Sequence, residues 1–229
     1  MPINKKLLTV LLAIAIISGC KKDNTVSDDV YLGYNYFPQQ PGDTLIYEVR
    51  ARYKDALITT PADSTYQLLE RVESVYNDNS NRPTLRLERY VRNTPNDPWI
   101  IYKVWTANLT STNAEKREDN IPYVKLIFPV EQNAEWNGNI LNPNSNSAQD
   151  YYYTYTNQPA TLNNLSFDST LMVTQKEEQL FNSGAYDFEK YATNVGLIQK
   201  QNFIYEVNTN NPNDTTYQSL YTEKLIYHN

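Results

Sequence analysis

The side chains that most often perform chemistry in enzymes are scarce in this sequence. Its 229 residues include one cysteine, Cys20, and one histidine, His228. Because His228 is the penultimate residue, where chains commonly fray, we do not expect it to act in catalysis. A single histidine and a single cysteine leave the usual serine, cysteine and zinc hydrolase arrangements incomplete. We therefore expect no metal site and no cofactor, and the remaining reactive groups are carboxylates, tyrosines and lysines.

Paired carboxylates are the one familiar route to catalysis that stays open, since two of them can hydrolyse a glycosidic bond without histidine or cysteine. Charged faces of strands also account for the carboxylates, and sequence spacing does not show that any two of them meet. We therefore predict that the protein is not an enzyme, and we keep a carboxylate-dependent glycan hydrolase as an alternative. The candidate carboxylates for that alternative are Glu70, Glu73, Glu88, Glu131 and Glu135.

Aromatic side chains are the first candidates for contacts with a ligand. Because side chains alternate along a strand, the tyrosines at positions 151, 153 and 155 share one face. Their rings could stack on a sugar or line an apolar groove, and packing in the core is the alternative. Trp136, beside the Asn137-Gly138 turn, could expose its ring at the surface, and the alternative is that the ring packs against neighbouring strands and holds them together. The candidate ligand-facing residues are thus Trp136, Tyr151, Tyr153 and Tyr155.

The first twenty residues carry the most specific signal in the sequence. Lys5 and Lys6 precede an apolar run over residues 7–17, which has the length of a signal-peptide core and is too short to span a membrane. The following stretch, Ile17-Ser18-Gly19-Cys20, resembles a bacterial lipobox. The resemblance implies that residues 1–19 are a signal peptide and that lipid attached to Cys20 holds the protein on a membrane. A single transmembrane anchor or a buried helix is the alternative.

Residues 20–30 are short, polar and charged, as a tether between lipid and domain should be. Within them, Lys21-Lys22-Asp23 resembles part of the signal that sends some Bacteroidota lipoproteins to the cell surface. We expect an outer-membrane lipoprotein on the periplasmic face or at the cell surface, both within the cell envelope.

The charge balance argues against nucleic acid as a partner. The chain has 20 basic and 26 acidic residues, so its formal net charge is −6, and an acidic surface repels phosphates. Four arginines cluster among polar residues, and we interpret them as the solvated face of a strand: Arg82, Arg86, Arg89 and Arg92.

Alternating hydrophobicity predicts one all-β domain over residues 31–229. The clearest strand is 44–53, where alternate residues face a core and the others face water. The predicted inward residues are Leu45, Tyr47, Val49, Ala51 and Tyr53, and the predicted outward ones are Glu48, Arg50 and Arg52. Similar patterns predict strands over 64–76, 84–92, 99–107, 121–128, 151–156, 167–174, 202–207 and 217–227. Long strands joined in sequence favour a strongly curved antiparallel meander, as a half-barrel or an open barrel.

Three local features complete the predicted domain. The only helix expected outside the signal peptide lies around residues 176–182, where helix-forming residues cluster. Asn137-Gly138 predicts a two-residue hairpin if strands flank it. Residues 142–149 read as an exposed loop because they combine asparagine, serine and proline.

Several segments together resemble a family of uncharacterised Bacteroidota envelope lipoproteins. They span most of the chain after the tether: Tyr36-Phe37-Pro38 with Gly42, Leu87-Glu88-Arg89-Tyr90, the segment 124–130 (VKLIFPV), Trp136-Asn137-Gly138-Asn139, and Tyr191-Ala192 with the segment 195–198 (VGLI). The resemblance implies an envelope location and a β-rich fold. It implies no catalytic residue, because the family has no established activity.

Four tripeptides match the Asp-Ser/Thr pattern used for O-glycosylation in Bacteroidota. Composition alone would give about one such match, although Asp-Ser/Thr also begins strands and turns. The candidate acceptor residues are Thr44, Ser64, Ser169 and Thr215.

These observations predict a lipid-anchored envelope lipoprotein with a non-enzymatic role in binding or assembly. Its expected partners are a membrane, through the lipid on Cys20, and an envelope protein, a glycan or a lipid. Two alternatives to this prediction stay open. One is the glycan hydrolase, and the other is a carrier that holds a lipid or another apolar ligand in a concave sheet.

Overall fold

The computed structural model describes residues 32–37, 40–58 and 60–229, and within them the domain is all-β. Its only helical element is a 3-10 turn at Tyr34–Tyr36, and no helix of the described part is long and apolar enough to cross a membrane. The strands are β1 (Thr44–Lys54), β2 (Ala62–Asn77), β3 (Pro83–Arg92), β4 (Ile100–Leu109), β5 (Asn113–Glu118), β6 (Ile121–Ile127), β7 (Glu135–Asn137), β8 (Asp150–Leu162), β9 (Leu165–Gln179), β10 (Ser183–Ala192), β11 (Gly196–Asn208) and β12 (Asn211–His228).

All twelve strands form one antiparallel sheet in the order β6-β5-β4-β3-β2-β1-β12-β11-β10-β9-β8-β7. Two meanders of six strands are joined where β1 pairs with β12, from Leu45 opposite His228 to Lys54 opposite Gln218. Right-handed twist curls such a long sheet until its edge strands, β6 and β7, approach each other. The result is a nearly closed, barrel-like sheet, which confirms the predicted curved meander.

The seam between β6 and β7 is closed mainly by side chains. One backbone bond crosses it, from Val124 N–H to the carbonyl of Gly138 at 2.8 Å. The indole Nε1 of Trp136 donates to the Val124 carbonyl at 2.8 Å. The Tyr153 hydroxyl donates to the carbonyl of Ile127 at 2.7 Å and accepts from its N–H at 2.9 Å. Two aromatic side chains thus supply hydrogen bonds that a neighbouring strand would otherwise provide.

The two ends of the barrel differ because alternate turns of a meander lie at the same end. One end carries the start of β1 and the end of β12, and the segment that contains the 3-10 turn packs there. Val130 N–H donates to the Leu32 carbonyl at 3.0 Å, and Asn194 N–H to that of Asn35 at 2.7 Å. Tyr36 and Phe37 are buried there, so we call this the plugged end. The opposite end, where β1 joins β2 and β9 joins β10, is the mouth.

Two apolar clusters fill the interior. The first extends from the plugged end across both meanders and includes Leu87, Leu126, Tyr153, Leu171 and Val173. The second lies around the β1–β12 junction, with Tyr47, Val49, Leu68, Ile198 and Leu225. The inward face predicted for residues 44–53 is confirmed at Tyr47 and Val49, and Arg50 and Arg52 are exposed as predicted. The prediction is wrong at Tyr53, which is 42% exposed because it lies near the mouth end of β1, beyond both apolar clusters.

Two local predictions are wrong. No helix forms at 176–182, because residues up to Gln179 continue β9, with Lys176 opposite Asp187 and Glu177 opposite Tyr186. Pairing with β10 overrides the local helix propensity there. No tight hairpin forms at Asn137-Gly138 either, since β7 ends at Asn137 and β8 begins only at Asp150. Residues 142–149 lie within the connecting loop and are mostly exposed, as predicted.

Candidate functional site: an internal charged belt and the cavity at the mouth

Eight charged side chains meet inside the barrel, between the plug and the mouth. Six of them are buried, and the side chains of Glu118 and Lys200 are only 14% and 15% exposed. Four carry negative charge and four carry positive charge, so the group is neutral as a whole. We call it the charged belt: Glu70, Glu118, Glu189, Glu223, Arg89, Lys116, Lys125 and Lys200.

Strand register explains why these charged groups lie inside. Arg89 shares the inward face of β3 with Leu87, because residues two apart on a strand point the same way. Glu70 is directly opposite Arg89 in the β2–β3 ladder. Across the other meander, Lys200 lies between Glu189 on one side and Glu223 on the other. Residues of opposite charge therefore lie directly opposite each other on neighbouring strands, which is the favourable arrangement for cross-strand pairs.

The first half of the belt surrounds Arg89. Its Nη2 lies 2.7 Å from Oε1 of Glu223, and its Nε lies 3.2 Å from Oε2 of Glu70. Lys116 Nζ lies 2.8 Å from Oε1 of the same Glu70 carboxylate. The guanidinium also stacks 3.9 Å from the ring centre of Trp105, a favourable arrangement for a buried cation. Glu223 belongs to β12 and Arg89 to β3, so this contact crosses the interior.

The second half of the belt surrounds Lys125 and Glu189. Nζ of Lys125 lies 2.6 Å from Oε1 of Glu189 and 3.1 Å from Oε1 of Glu118. Nζ of Lys200 lies 3.3 Å from both Glu118 and Glu189, and the Tyr191 hydroxyl donates to Oε2 of Glu189 at 2.6 Å. Because Lys125 and Glu118 belong to the first meander and Glu189 and Lys200 to the second, these pairs join the two halves of the sheet.

The belt keeps three of its carboxylates ionised: Glu118, Glu189 and Glu223. Burial alone would raise the pKa of Glu118 and Glu189, but the ammonium groups of Lys125 and Lys200 outweigh burial and hold both below the ordinary value. Burial opposes ionisation of Glu223 in the same way, and Arg89 with Lys200 lowers its pKa. These three carboxyl groups therefore carry no proton at neutral pH, which removes them as candidate general acids.

The lowered pKa values predict how stability depends on pH. A carboxyl group whose folded-state pKa is depressed stabilises the fold fully above its unfolded pKa, and that contribution is lost as the pH falls through the folded value. We expect the free energy of unfolding to fall progressively below the ordinary glutamate pKa of 4.5, because Glu118, Glu189 and Glu223 must then take up protons on unfolding. Urea denaturation at pH 7, 5, 4 and 3 measures the trend, and stability that is constant or higher at pH 3 would contradict it.

A cavity of about 730 Å³ opens on the mouth side of the belt. Glu118, Lys125 and Lys200 form its floor. Its walls are residues 147–151 beside the seam, residues 175–178 at the end of β9, and Asp187 and Asn202 on the next two strands. A second cavity, of about 60 Å³, lies toward the plugged end and is also lined by Glu118 and Lys125. The belt thus separates a small interior space from a large polar one.

Carboxylates outnumber ammonium groups in the walls above the belt. Lys176 is the one ammonium group there, and its Nζ lies 3.3 Å from Oε2 of Glu178. Glu177 accepts a hydrogen bond from the Tyr152 hydroxyl at 2.7 Å, and Oδ1 of Asp187 accepts from the Phe203 N–H at 2.9 Å. With Asp150, the walls carry four carboxylates. They therefore offer mainly hydrogen-bond acceptors.

One amide in the cavity wall lacks a partner. In the β9–β10 ladder, Thr174 is opposite Phe188 and Lys176 is opposite Asp187, so Gln175 is the extra residue of a β-bulge. Bulges commonly redirect a side chain beside a functional site. The Nε2 atom of Gln175 is buried and has no hydrogen-bond partner among the described residues. Such an atom ordinarily finds a partner, but this one has almost no accessible surface and so does not face the cavity.

The structure places three of the four aromatic candidates at the seam. Trp136 and Tyr153 form its hydrogen bonds, and Tyr153 is 0% exposed. Tyr151 is buried but lines the mouth cavity, and its ring lies within 2.5 Å of where a side chain on Gly138 would begin. The prediction that Tyr155 shares the face of Tyr151 and Tyr153 is wrong, because a bulge after Tyr153 turns it to the other face, where its ring centre lies 5.7 Å from Nζ of Lys190. Of the four, Tyr151 is the one that lines the cavity.

The predicted charged faces are partly wrong. Glu70 and Arg89 belong to the buried belt and not to a solvated face. Each lies on the inward face of its strand, together with apolar residues. Glu73 is exposed, but Glu88 is buried at 8% exposure, and both contact Arg86. Hydrogen bonds from Tyr90 and then Arg71 lower the pKa of Glu88 to about 2. Glu131 and Glu135 are exposed.

The candidate modification sites have different surroundings. Cys20 and the tether lie outside the described residues, as does the signal peptide. Ser64 is exposed in β2, and Thr44 and Thr215 are half-buried in β1 and β12. Ser169 lies in β9, and its hydroxyl is 2.7 Å from that of Tyr36. The most accessible of the four candidate acceptors is therefore Ser64.

Sequence reasoning missed most of the belt and the cavity. Some belt residues could have been recognised from the sequence, because they occupy every second position in line with apolar residues. Glu70, for example, follows Tyr66 and Leu68 on the same face of β2. Gln175 had no such signal, because a bulge interrupts the alternation at that position.

No protein-family model and no curated protein matches the chain. Among solved structures, it is similar to a protein described as exported, with a YmcC-like fold, from Bacteroides fragilis. The identity is 11%, the TM-score is 0.42, and the match covers 83% of this chain and 98% of that one. It is also similar to a protein described as a lipoprotein from Parabacteroides distasonis, at 14% identity and a TM-score of 0.34, covering 85% and 98% of the two chains.

Proposed function

We propose that this protein is a lipid-anchored lipoprotein of the outer membrane that binds a small polar ligand in the mouth cavity without converting it chemically. One observation carries the binding role: a polar cavity of about 730 Å³ opens above the charged belt. The volume falls within the roughly 300–1,000 Å³ of small-molecule sites.

The distribution of space favours a polar ligand over a lipid. The cavity on the plugged side of the belt measures about 60 Å³, which corresponds to about two water molecules and is too small for an acyl chain. The larger cavity is walled by carboxylates, lysines and amides, which an acyl chain would desolvate without replacing their hydrogen bonds. We therefore do not extend the proposal to carriage of a lipid in the concave sheet.

The electrostatics of the belt support a non-enzymatic role. A glycosidase of the carboxylate type needs one carboxyl group with a raised pKa to protonate the leaving group. The carboxyl groups of Glu118, Glu189 and Glu223 have lowered pKa values. The belt therefore supplies fixed charges rather than a transferable proton.

The position of the anchor suits a binding protein that faces away from its membrane. The described chain enters the domain at the plugged end, where Leu32 and Asn35 accept hydrogen bonds from the 128–134 and 193–195 connections. Lipid on Cys20 would therefore hold the plugged end toward the bilayer and leave the mouth open on the far side.

Replacing Cys20 with alanine tests the anchor. We expect Cys20→Ala to abolish incorporation of labelled palmitate and to move most of the protein out of the membrane fraction, since the acyl chains supply the affinity for the bilayer. Ser27→Ala, in the same tether, should leave both properties unchanged. A Cys20→Ala protein that stays in membranes and still takes up label would contradict the proposal.

Binding at the mouth is tested by cross-linking small probes to the intact, detergent-extracted protein. Photoreactive derivatives of glucose, spermidine and palmitate compete with their unlabelled parents, and peptide mapping locates the adducts. We expect a polar probe to label residues 147–151 or 175–178 and palmitate to label neither segment. Labelling of those segments by palmitate alone would contradict a polar site.

A further inference from the structure

We propose that the turns around the mouth form a docking surface for a partner protein that presents apolar side chains together with lysines or arginines. The surface consists of five exposed apolar side chains, which we call the mouth rim: Leu57, Ile100, Ile140, Leu180 and Phe181. The mouth rim is the outer edge of the barrel rather than its cavity, so docking there goes beyond the proposed binding of a small ligand.

The mouth rim holds the five most exposed large apolar side chains in the part of the chain that the structure describes. Phe181 is 92% exposed and Leu57 is 93% exposed, and the other three are 63% or 68% exposed. At the plugged end the highest value among the described residues is 49%, at Tyr227. Single exposed apolar residues are ordinary, but their concentration at one end of a domain marks an interaction surface.

The mouth rim is spread over four connections of the sheet. Leu57 lies in the β1–β2 turn, Ile140 lies in the β7–β8 loop, and Ile100 is the first residue of β4. Leu180 and Phe181 lie in the β9–β10 turn. Because these positions stand at or beyond the strand ends, neither apolar cluster of the interior covers them.

Hydrogen bonds hold the two most exposed turns in place. The Leu57 N–H donates to Oδ1 of Asp55 at 2.8 Å. The Leu180 N–H donates to the carbonyl of Ser183 at 2.8 Å, which closes the β9–β10 turn beside Phe181. Ordered turns lose little conformational entropy when they dock, so their apolar side chains are prepared for contact.

A protein fits the mouth rim better than a bilayer does, because the rim is not level. Ile100 is opposite Val91, and Val91 is opposite Leu68 on β2. Leu57 instead lies beyond Ala62, the first residue of β2, which is about 20 Å from Leu68 along the strand. Interfacial side chains reach only about 5–10 Å into a bilayer. A bilayer across the mouth would reach one level and miss the other, whereas a shaped protein surface can contact both.

The charge of the mouth connections favours a basic partner. The connections are residues 55–61, 93–99, 119–120, 138–149, 180–182 and 209–210. Their sequences contain Asp55, Asp97 and Asp119 and no lysine or arginine. Complementary potentials favour lysines or arginines on the partner, and two copies of this chain docked mouth to mouth would bring like charges together. A different protein therefore suits the mouth rim better than a second copy.

Site-specific photo-cross-linking of the full chain in intact cells tests the docking surface. The photoreactive amino acid p-benzoylphenylalanine replaces Phe181 or Ile140 in turn. Tyr76 is the matched control position, because it is 45% exposed and lies at the plugged end of β2. We expect both rim positions to form adducts with one and the same protein, through a peptide that contains lysine or arginine, and we expect none from Tyr76.

Titration of the purified pair then measures the contact. We expect Phe181→Ser to weaken binding about tenfold or more, since aromatic side chains commonly dominate the affinity of an interface. Tyr76→Ser should leave the affinity unchanged. Both side chains lie at the surface, so both variants should fold. Binding should also weaken as sodium chloride rises, because salt screens the attraction between the mouth aspartates and the partner's cations.

Several results would overturn the docking surface. They are adducts with phospholipid, adducts between two copies of this chain, different proteins at Phe181 and Ile140, and no adduct above the Tyr76 control. Binding that Phe181→Ser and Tyr76→Ser weaken equally, or that salt does not weaken, would contradict it as well. None of these results alters the small-ligand site, which the labelled probes test separately.

Discussion

Glu189→Ala is expected to lower the free energy of unfolding by about 3–5 kcal/mol, the usual cost of removing one partner from a buried ion pair. Glu189 is 1% exposed, and its carboxylate contacts Lys125, Lys200 and the Tyr191 hydroxyl. Without it, two buried ammonium groups depend on Glu118 alone. Urea denaturation followed by circular dichroism measures the loss.

Glu206→Ala is the matched control, because Glu206 lies on β11 with an exposed side chain and no ion pair among the described residues. It should change the free energy of unfolding by less than about 0.5 kcal/mol. If Glu189→Ala does not fold, Glu189→Gln combined with Lys125→Met removes both charges of the closest pair and should recover part of the stability. A Glu189→Ala protein as stable as the control would contradict the structural role of the belt.

Tyr153→Phe is expected to cost about 2–3 kcal/mol, because one hydroxyl satisfies two backbone groups of Ile127 at the seam. The ring stays in place, so packing in the first apolar cluster is retained and the loss reports the hydrogen bonds. Hydrogen exchange of the Ile127 amide should also accelerate, since its acceptor is removed. Denaturation and exchange together distinguish local opening of the seam from general destabilisation.

Tyr155→Phe provides the comparison on the same strand. The Tyr155 hydroxyl has no hydrogen-bond partner among the described residues, so its removal should leave both stability and Ile127 exchange nearly unchanged. Equal effects of the two substitutions would mean that the Tyr153 hydroxyl does not hold the seam.

The sheet was predictable where inward positions are apolar. Residues 44–53 alternate cleanly, and β1 spans almost the same residues as the predicted strand. β5, β7 and β10 were not predicted, and for β5 and β10 the belt explains why. The inward residues of β5 include Lys116 and Glu118, and those of β10 include Glu189, so the alternation of apolar and polar residues disappears there.

The ion pairs of the belt could not be predicted from the sequence, because their partners lie far apart along the chain. Arg89 and Glu223 are separated by 134 positions, and Lys125 and Glu189 by 64. A single strand shows only that a charge falls on an apolar face, as for Arg89 beside Leu87. Whether that charge is solvated or paired is decided by the opposite wall of the barrel, which only closure of the sheet brings near.

The belt also gives the barrel two compartments with different chemistry. Buried ion pairs are a weak source of net stability, since desolvation offsets most of their attraction. A neutral layer of four acids and four bases nevertheless forms a polar floor beneath the mouth cavity. The arrangement is consistent with a protein that holds its ligand above the belt while the fold is stabilised below it.

Native mass spectrometry of the full protein, released gently from its own membranes, tests the central claim of a lipid-anchored polar-ligand binder most directly. We predict acyl mass on a chain that begins at Cys20, together with a small polar compound that dissociates on activation. An unacylated chain that retains residues 1–19, or an apolar lipid as the bound compound, would contradict the account.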